Sequence, residues 1–193
     1  MTTCETSVTA SDSIGRAASN PSARLANGTA SAAGETQVQY VPAGTGKAYR
    51  SPIDEIRFLI TGEQTAGAFF MAEVSVVPGA GNPPHIHHRE EECFYLQEGT
   101  LTIQVGGKTQ TASAGDFIRL PRGVAHSFKN TGNVEAKVLL VVAPAGLEKF
   151  FEEAFYPVED RSAAMPPMTE AFMARVLEAA PKCGLEFLPP AQQ

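Results

Sequence analysis

The chain has no tryptophan, only three cysteines and four histidines, and just 19% of its 193 residues are charged. Each shortage excludes something. Cys4, Cys93 and Cys183 lie far apart and form no CxxC pair, so neither a disulfide framework nor a zinc knuckle is expected. A reducing, cytoplasmic setting fits that cysteine usage. Lysine and arginine number 15 against 21 acidic residues, a net charge of −6, which disfavours nucleic acid and anionic membrane as partners because both call for a basic face. No apolar run approaches the roughly 18 residues needed to span a bilayer as a helix. Large apolar residues are also scarce from Thr2 to Gln37, where Ser, Thr, Ala, Gly and Asn dominate without periodicity. Such a segment cannot offset the entropy of ordering, so residues 1–38 are expected to be a disordered tail. Its Arg16 and Arg24 hint at an organelle transit peptide, a reading that Glu5, Asp12 and Glu35 weaken.

What is present concentrates between Gly79 and Asn130. Gly79 is followed after five residues by His85, after one more by His87, after four by Glu92 and after six by Gly99. Fifteen residues later a second block runs Gly115, five residues, Pro121, one, Gly123, two, His126, three, Asn130. Strand side chains alternate faces, so His85 and His87 can aim two imidazoles at one point. The four residues from His88 to Glu91 allow a turn before a strand on which Glu92, Phe94 and Leu96 share a face. Glu92 is therefore preferred as the carboxylate, with Glu90 and Glu91 left as turn or surface charges and His88, of opposite parity, as a solvated bystander. His126 opens a separate strand after the turn at Pro121-Arg122-Gly123. Three imidazoles and one carboxylate suit a divalent transition metal ion such as iron, manganese, cobalt, nickel or copper, with coordination positions left open.

Short strands with turns between them fill the chain around these blocks. Ile56 to Ile60, Ala68 to Val77, Leu101 to Val105, Lys108 to Ala112, Phe117 to Leu120, His126 to Asn130 and Ala136 to Val142 read as strands, with Gly106-Gly107 closing a tight hairpin. That pattern predicts an antiparallel sandwich or barrel. After Pro144 the period becomes helical. Leu147, Phe150, Phe151 and Phe155 form one stripe, with Glu148, Glu152 and Glu153 opposite, and the stripe is read as packing. A second helix is expected from a Thr169 cap through Phe172, Val176 and Leu177 to about Pro181 and Gly184.

The two spaced blocks resemble the two signature motifs of the cupin superfamily, with every anchor position filled. The resemblance implies an all-β jelly-roll barrel over 39–145, followed by a helical extension, 146–193, packed on the barrel. It further implies that His85, His87, Glu92 and His126 hold one metal ion. The run Ala145 to Glu153 is similar to the extension of small cupins related to quercetin dioxygenases. That likeness implies a dioxygenase acting on an aromatic or enolisable substrate, with Glu92 accepting the substrate's hydroxyl proton, for which the apolar wall would need to raise its pKa. The inward parity of Phe70, Phe94, Leu96, Leu101, Ile103 and Phe128 would make them the walls of the cavity. Cupin motifs are shared by isomerases, epimerases, decarboxylases and non-catalytic binding proteins, so the fold alone cannot name the reaction. A small molecule is the expected partner, and a homodimer the expected assembly, since exposed strand edges invite pairing.

Overall fold

Alternation of apolar and polar residues builds the barrel strand by strand. In the computed structural model, which describes residues 38–189, the elements are β1 (Ala48–Arg50), β2 (Asp54–Ile60), β3 (Phe70–Val76), β4 (His85–His87), β5 (Glu91–Glu98), β6 (Thr100–Val105) and β7 (Lys108–Ser113). They continue as β8 (Phe117–Leu120), β9 (His126–Asn130), β10 (Ala136–Ala143), α1 (Glu148–Ala154), β11 (Tyr156–Pro157), α2 (Glu170–Lys182) and β12 (Leu185–Phe187). The expected tail at residues 1–38 lies outside the described residues except for Val38, which is exposed.

One sheet runs β11-β1-β2-β3-β10-β5-β8 and the other β12-β4-β9-β6-β7, with every pairing antiparallel. Strands distant in sequence lie side by side, as β3 does with β10, so the two sheets interleave as a jelly roll. The inner face of β3 is Phe70, Ala72, Val74 and Val76, and that of β10 is Ala136, Val138, Leu140 and Val142, all buried. Burying side chains such as Phe70 and Leu96 stabilises the fold by about 1.5–3 kcal/mol each. Gly106 and Gly107, with φ of 54° and 77°, make the expected hairpin between β6 and β7. Gly99 joins β5 to β6 at φ 80°, and a Cβ there would sit 2.8 Å from backbone atoms of Glu135 and Ala136.

The extension departs from expectation in two ways. It is not purely helical, since β11 joins β1 at the edge of one sheet and β12 joins β4 at the edge of the other. Strands of two or three residues are too short to display a period, which is why they are invisible in the sequence. Glu148, expected on the solvent side of α1, is buried. Its carboxylate accepts from the backbone N–H groups of Gly62 and Gly146, both at 2.8 Å, and so fastens the start of α1 to the barrel. Helix α2 forms as expected, with the Thr169 hydroxyl accepting from the Phe172 N–H at 3.1 Å. Cys93 is half-buried on the outer face, and Cys183 is buried in the core. None of the described helices is long and apolar enough to cross a membrane.

Candidate metal centre

Three strands converge on one point. Strand β4 is only three residues long and buries His85 and His87 on the same side of Ile86. Its partner β9 begins at His126, directly opposite His85. Across the barrel β5 turns Glu92, Phe94 and Leu96 inward. One ligand atom from each of His85, His87, Glu92 and His126 lies within 4.8 Å of the others, and all four residues are buried.

The orientation of the rings fits a bound cation. His85 Nδ1 donates to the Pro83 carbonyl at 3.0 Å and His126 Nδ1 to the Val124 carbonyl at 2.9 Å, which leaves each Nε2 as a lone-pair donor towards the centre. The His126 Nε2 lone pair then faces Glu92 Oε2 at 3.1 Å, and His87 Nε2 lies 3.7 Å from the same oxygen. A metal ion bound by both atoms would satisfy that pair, as would a proton shared between them. A transition metal ion suits this donor set, so these four residues could hold one.

Electrostatics keep His85 and Glu92 in the form that binds a metal. Burial, reinforced by the neighbouring His126 and His87, pushes His85 down to about 4, so its ring is neutral near pH 7. Burial opposes ionisation of Glu92 too, but His87, His126 and His85 outweigh it and hold the carboxyl below its ordinary range. The rise expected from an apolar wall does not occur, because three imidazoles surround the carboxylate more closely than the wall does. For His87, burial disfavours the charge, while Glu92 and Glu90 together raise its affinity for a proton.

Glu90 corrects the sequence reading. Expected as a turn or surface charge, it is 2% exposed, with Oε2 3.6 Å from His87 Nδ1. Glu91 is the surface charge, paired with Arg119 at 2.8 Å, and His88 is exposed and paired with Glu186 at 2.7 Å. Glu90 precedes the first residue of β5, where strand parity says nothing about direction.

Beside the cluster lies a cavity of about 480 Å³, reached by His85, His87 and Glu92. Phe94, Leu101 and Phe128 line it. Phe70, Leu96 and Ile103 also point inward but belong to the packed core instead of the cavity wall. The ring of Phe58 meets Phe70 edge-on and that of Phe151 meets it tilted, with centroids at 4.9 and 6.1 Å, and Leu96 and Ile103 lie one inward position further along their strands than Phe94 and Leu101. Much of the remaining wall comes from the extension. Phe150, Phe151 and Phe155, read from sequence as packing alone, line the cavity, as do Phe172, Val176 and Phe187. Two polar residues that sequence reasoning missed, Ser51 and Asp54, also line it. They are hydrogen-bonded to each other, and burial raises the Asp54 carboxyl to about 6 against the opposing pull of the Ser51 hydroxyl.

Comparison with known proteins places this geometry in a family. A cupin domain model matches residues 72–142, spanning β3 to β10 and all four ligand-type residues. Germin-like protein 5-1 of Oryza sativa subsp. japonica is 40% identical over 74 residues, 36% of this chain and 34% of that protein. Quercetin 2,3-dioxygenase of Aspergillus japonicus is 31% identical over 102 residues, 49% of this chain and 29% of that one. The chain thus spans about a third of the length of these relatives. The crystal structure of a predicted oxalate decarboxylase from Thermotoga maritima superposes with a TM-score of 0.50 at 25% identity, covering 53% of this chain and 95% of that one. The matched domain, the jelly roll and the buried histidine and glutamate cluster agree, and residues 72–142 of this chain are a cupin domain.

Proposed function

We propose that the protein is a metal-dependent oxidoreductase that uses dioxygen on an aromatic or enolisable organic substrate, in the manner of the quercetin dioxygenase to which it is similar. The observation that carries this reading is the buried three-histidine, one-glutamate cluster set in the wall of a large apolar cavity. His85, His87, His126 and Glu92 would hold one divalent transition metal ion, which when bound supplies a Lewis acid and, if redox active, a partner for dioxygen. The rest is the work of the chain itself. Phe94, Phe128, Phe150 and Phe172 present ring faces and edges to a flat substrate and exclude water that would quench reactive species. Glu92, ionised near neutral pH, is the group positioned to accept a hydroxyl proton at a carboxylate oxygen.

The competing reading is another cupin metalloenzyme, a decarboxylase, isomerase or epimerase, or a non-catalytic small-molecule carrier. The lining weighs against a small dianion or a sugar phosphate, since no lysine or arginine is among the described residues that line the cavity. Oxygen uptake by the metal-loaded protein, followed with quercetin and with simple diketones, tests the proposal. Uptake that depends on the metal and is lost in Glu92→Gln with metal retained supports it. A loaded protein that consumes no oxygen with any of these substrates would sink the dioxygenase reading, and failure to take up any metal would sink every metalloenzyme reading.

A further inference from the structure

Three histidines face the centre, and each must do something with its outward nitrogen. Two settle the matter with backbone: His85 Nδ1 donates to Pro83 and His126 Nδ1 to Val124. His87 has no such carbonyl. Its Nδ1 and Glu90 Oε2 are the two buried side-chain polar atoms among the described residues without a hydrogen-bond partner, and they lie 3.6 Å apart. That distance is just beyond a hydrogen bond. Two orphaned polar atoms, one a donor and one an acceptor, facing each other in a site shielded from water complete one another with a small movement, and leaving them apart is unfavourable by the desolvation of both. Glu90 comes just before β5 and is 2% exposed, with Gly146 beside its other carboxylate oxygen.

We infer that Glu90 is a positioning residue for the metal centre: its carboxylate accepts from His87 Nδ1, fixes that ring in the tautomer that presents Nε2 inward, and makes His87 a stronger donor than its two carbonyl-bound companions. The inference rests on the metal-centre reading above. It adds an asymmetry to it. One imidazole of three is backed by a carboxylate and the other two by backbone carbonyls, and the centre gains a second buried carboxyl group beside Glu92. Partners of this kind orient ligand rings and raise their basicity, and losing one typically weakens metal binding about 10- to 100-fold.

Copper(II) serves as the probe, because pulsed electron paramagnetic resonance reads the remote nitrogen of each bound imidazole and that nitrogen senses its own hydrogen bond. Glu90→Gln keeps the shape and an acceptor while removing the charge, and Glu90→Leu removes both. The expected result is a copper-loaded wild type with coupled imidazoles, a Glu90→Leu variant in which one remote-nitrogen coupling shifts and copper binds about 10- to 100-fold more weakly, and a Glu90→Gln variant in between. Should Glu90→Leu fail to unfold cooperatively, the Gln variant decides alone. Couplings and affinity identical to wild type in the folded variants overturn the inference while leaving the metal centre intact, as does an equal change in all the imidazoles, which marks general loosening. A wild type showing no imidazole coupling at all overturns the metal-centre reading and this inference with it.

Discussion

At the scale of the residue, direction matters more than identity. Glu90, Glu91 and Glu92 are chemically the same, yet one backs a histidine, one pairs with Arg119 on the surface and one joins the ligand cluster. Glu92 was legible because it shares strand parity with Phe94; Glu90 was not, because it stands outside the strand. Asp54 was likewise illegible, since nothing in Ser51-Pro52-Ile53-Asp54 announces that a carboxyl will be buried against a cavity. It carries a testable consequence. Folded, Asp54 keeps its proton up to about pH 6, whereas its ordinary value is 3.8. The folded state therefore binds the extra proton between those values, and stability from this group is full below about pH 4 and lost as pH rises through about 6. At neutral pH the buried charge costs on the order of 3 kcal/mol, at 1.36 kcal/mol per pH unit of displacement. Asp54→Asn should thus raise the urea midpoint at pH 7 and flatten its decline between about pH 4 and 6; equal pH profiles for variant and parent would refute this. His126→Ala should remove a ligand and abolish tight metal uptake, read by metal analysis after dialysis, while the apo fold persists.

At the scale of the element, α2 and β12 differ in what they support. Thr169→Ala removes the cap of α2 and should lower stability by about 1 kcal/mol in urea unfolding, with metal content unchanged. Gly184 stands at φ 74° between α2 and β12, and a Cβ there would meet the Arg89 side chain at 2.8 Å. Gly184→Ala should cost about 1–2 kcal/mol from the left-handed backbone alone. Because β12 pairs with the strand bearing His85 and His87, it should also speed release of bound copper, which Thr169→Ala should not. Equal release rates in the two variants would show that β12 does not steady β4. The long helix was legible from its cap and its Phe172 and Val176 spacing, and the longer strands from alternation. Strands β1, β11 and β12 were not, since pairing across the molecule, and no local pattern, makes them strands.

At the scale of the whole molecule, the spaced motif blocks made the barrel legible, but the cavity was only half so. Its barrel wall follows from inward parity, whereas its other wall comes from the extension, whose docking no periodicity within one element reveals. Met168, Met173 and Leu177 both line the cavity and are exposed, which marks its mouth on the α2 side. Leu177→Trp should therefore weaken binding of a flat aromatic ligand such as quercetin several-fold in a fluorescence titration, with unaltered metal content. Unchanged ligand affinity would place the entrance elsewhere. The late position of β12 in the chain bears on how a metal ion would reach the site. A nascent polypeptide emerges from its N-terminal side, so His85, His87, Glu92 and His126 all leave the ribosome before α2 and β12 exist to cover them. An ion captured in that interval would be enclosed afterwards, so its identity would follow the cellular supply at the time of synthesis.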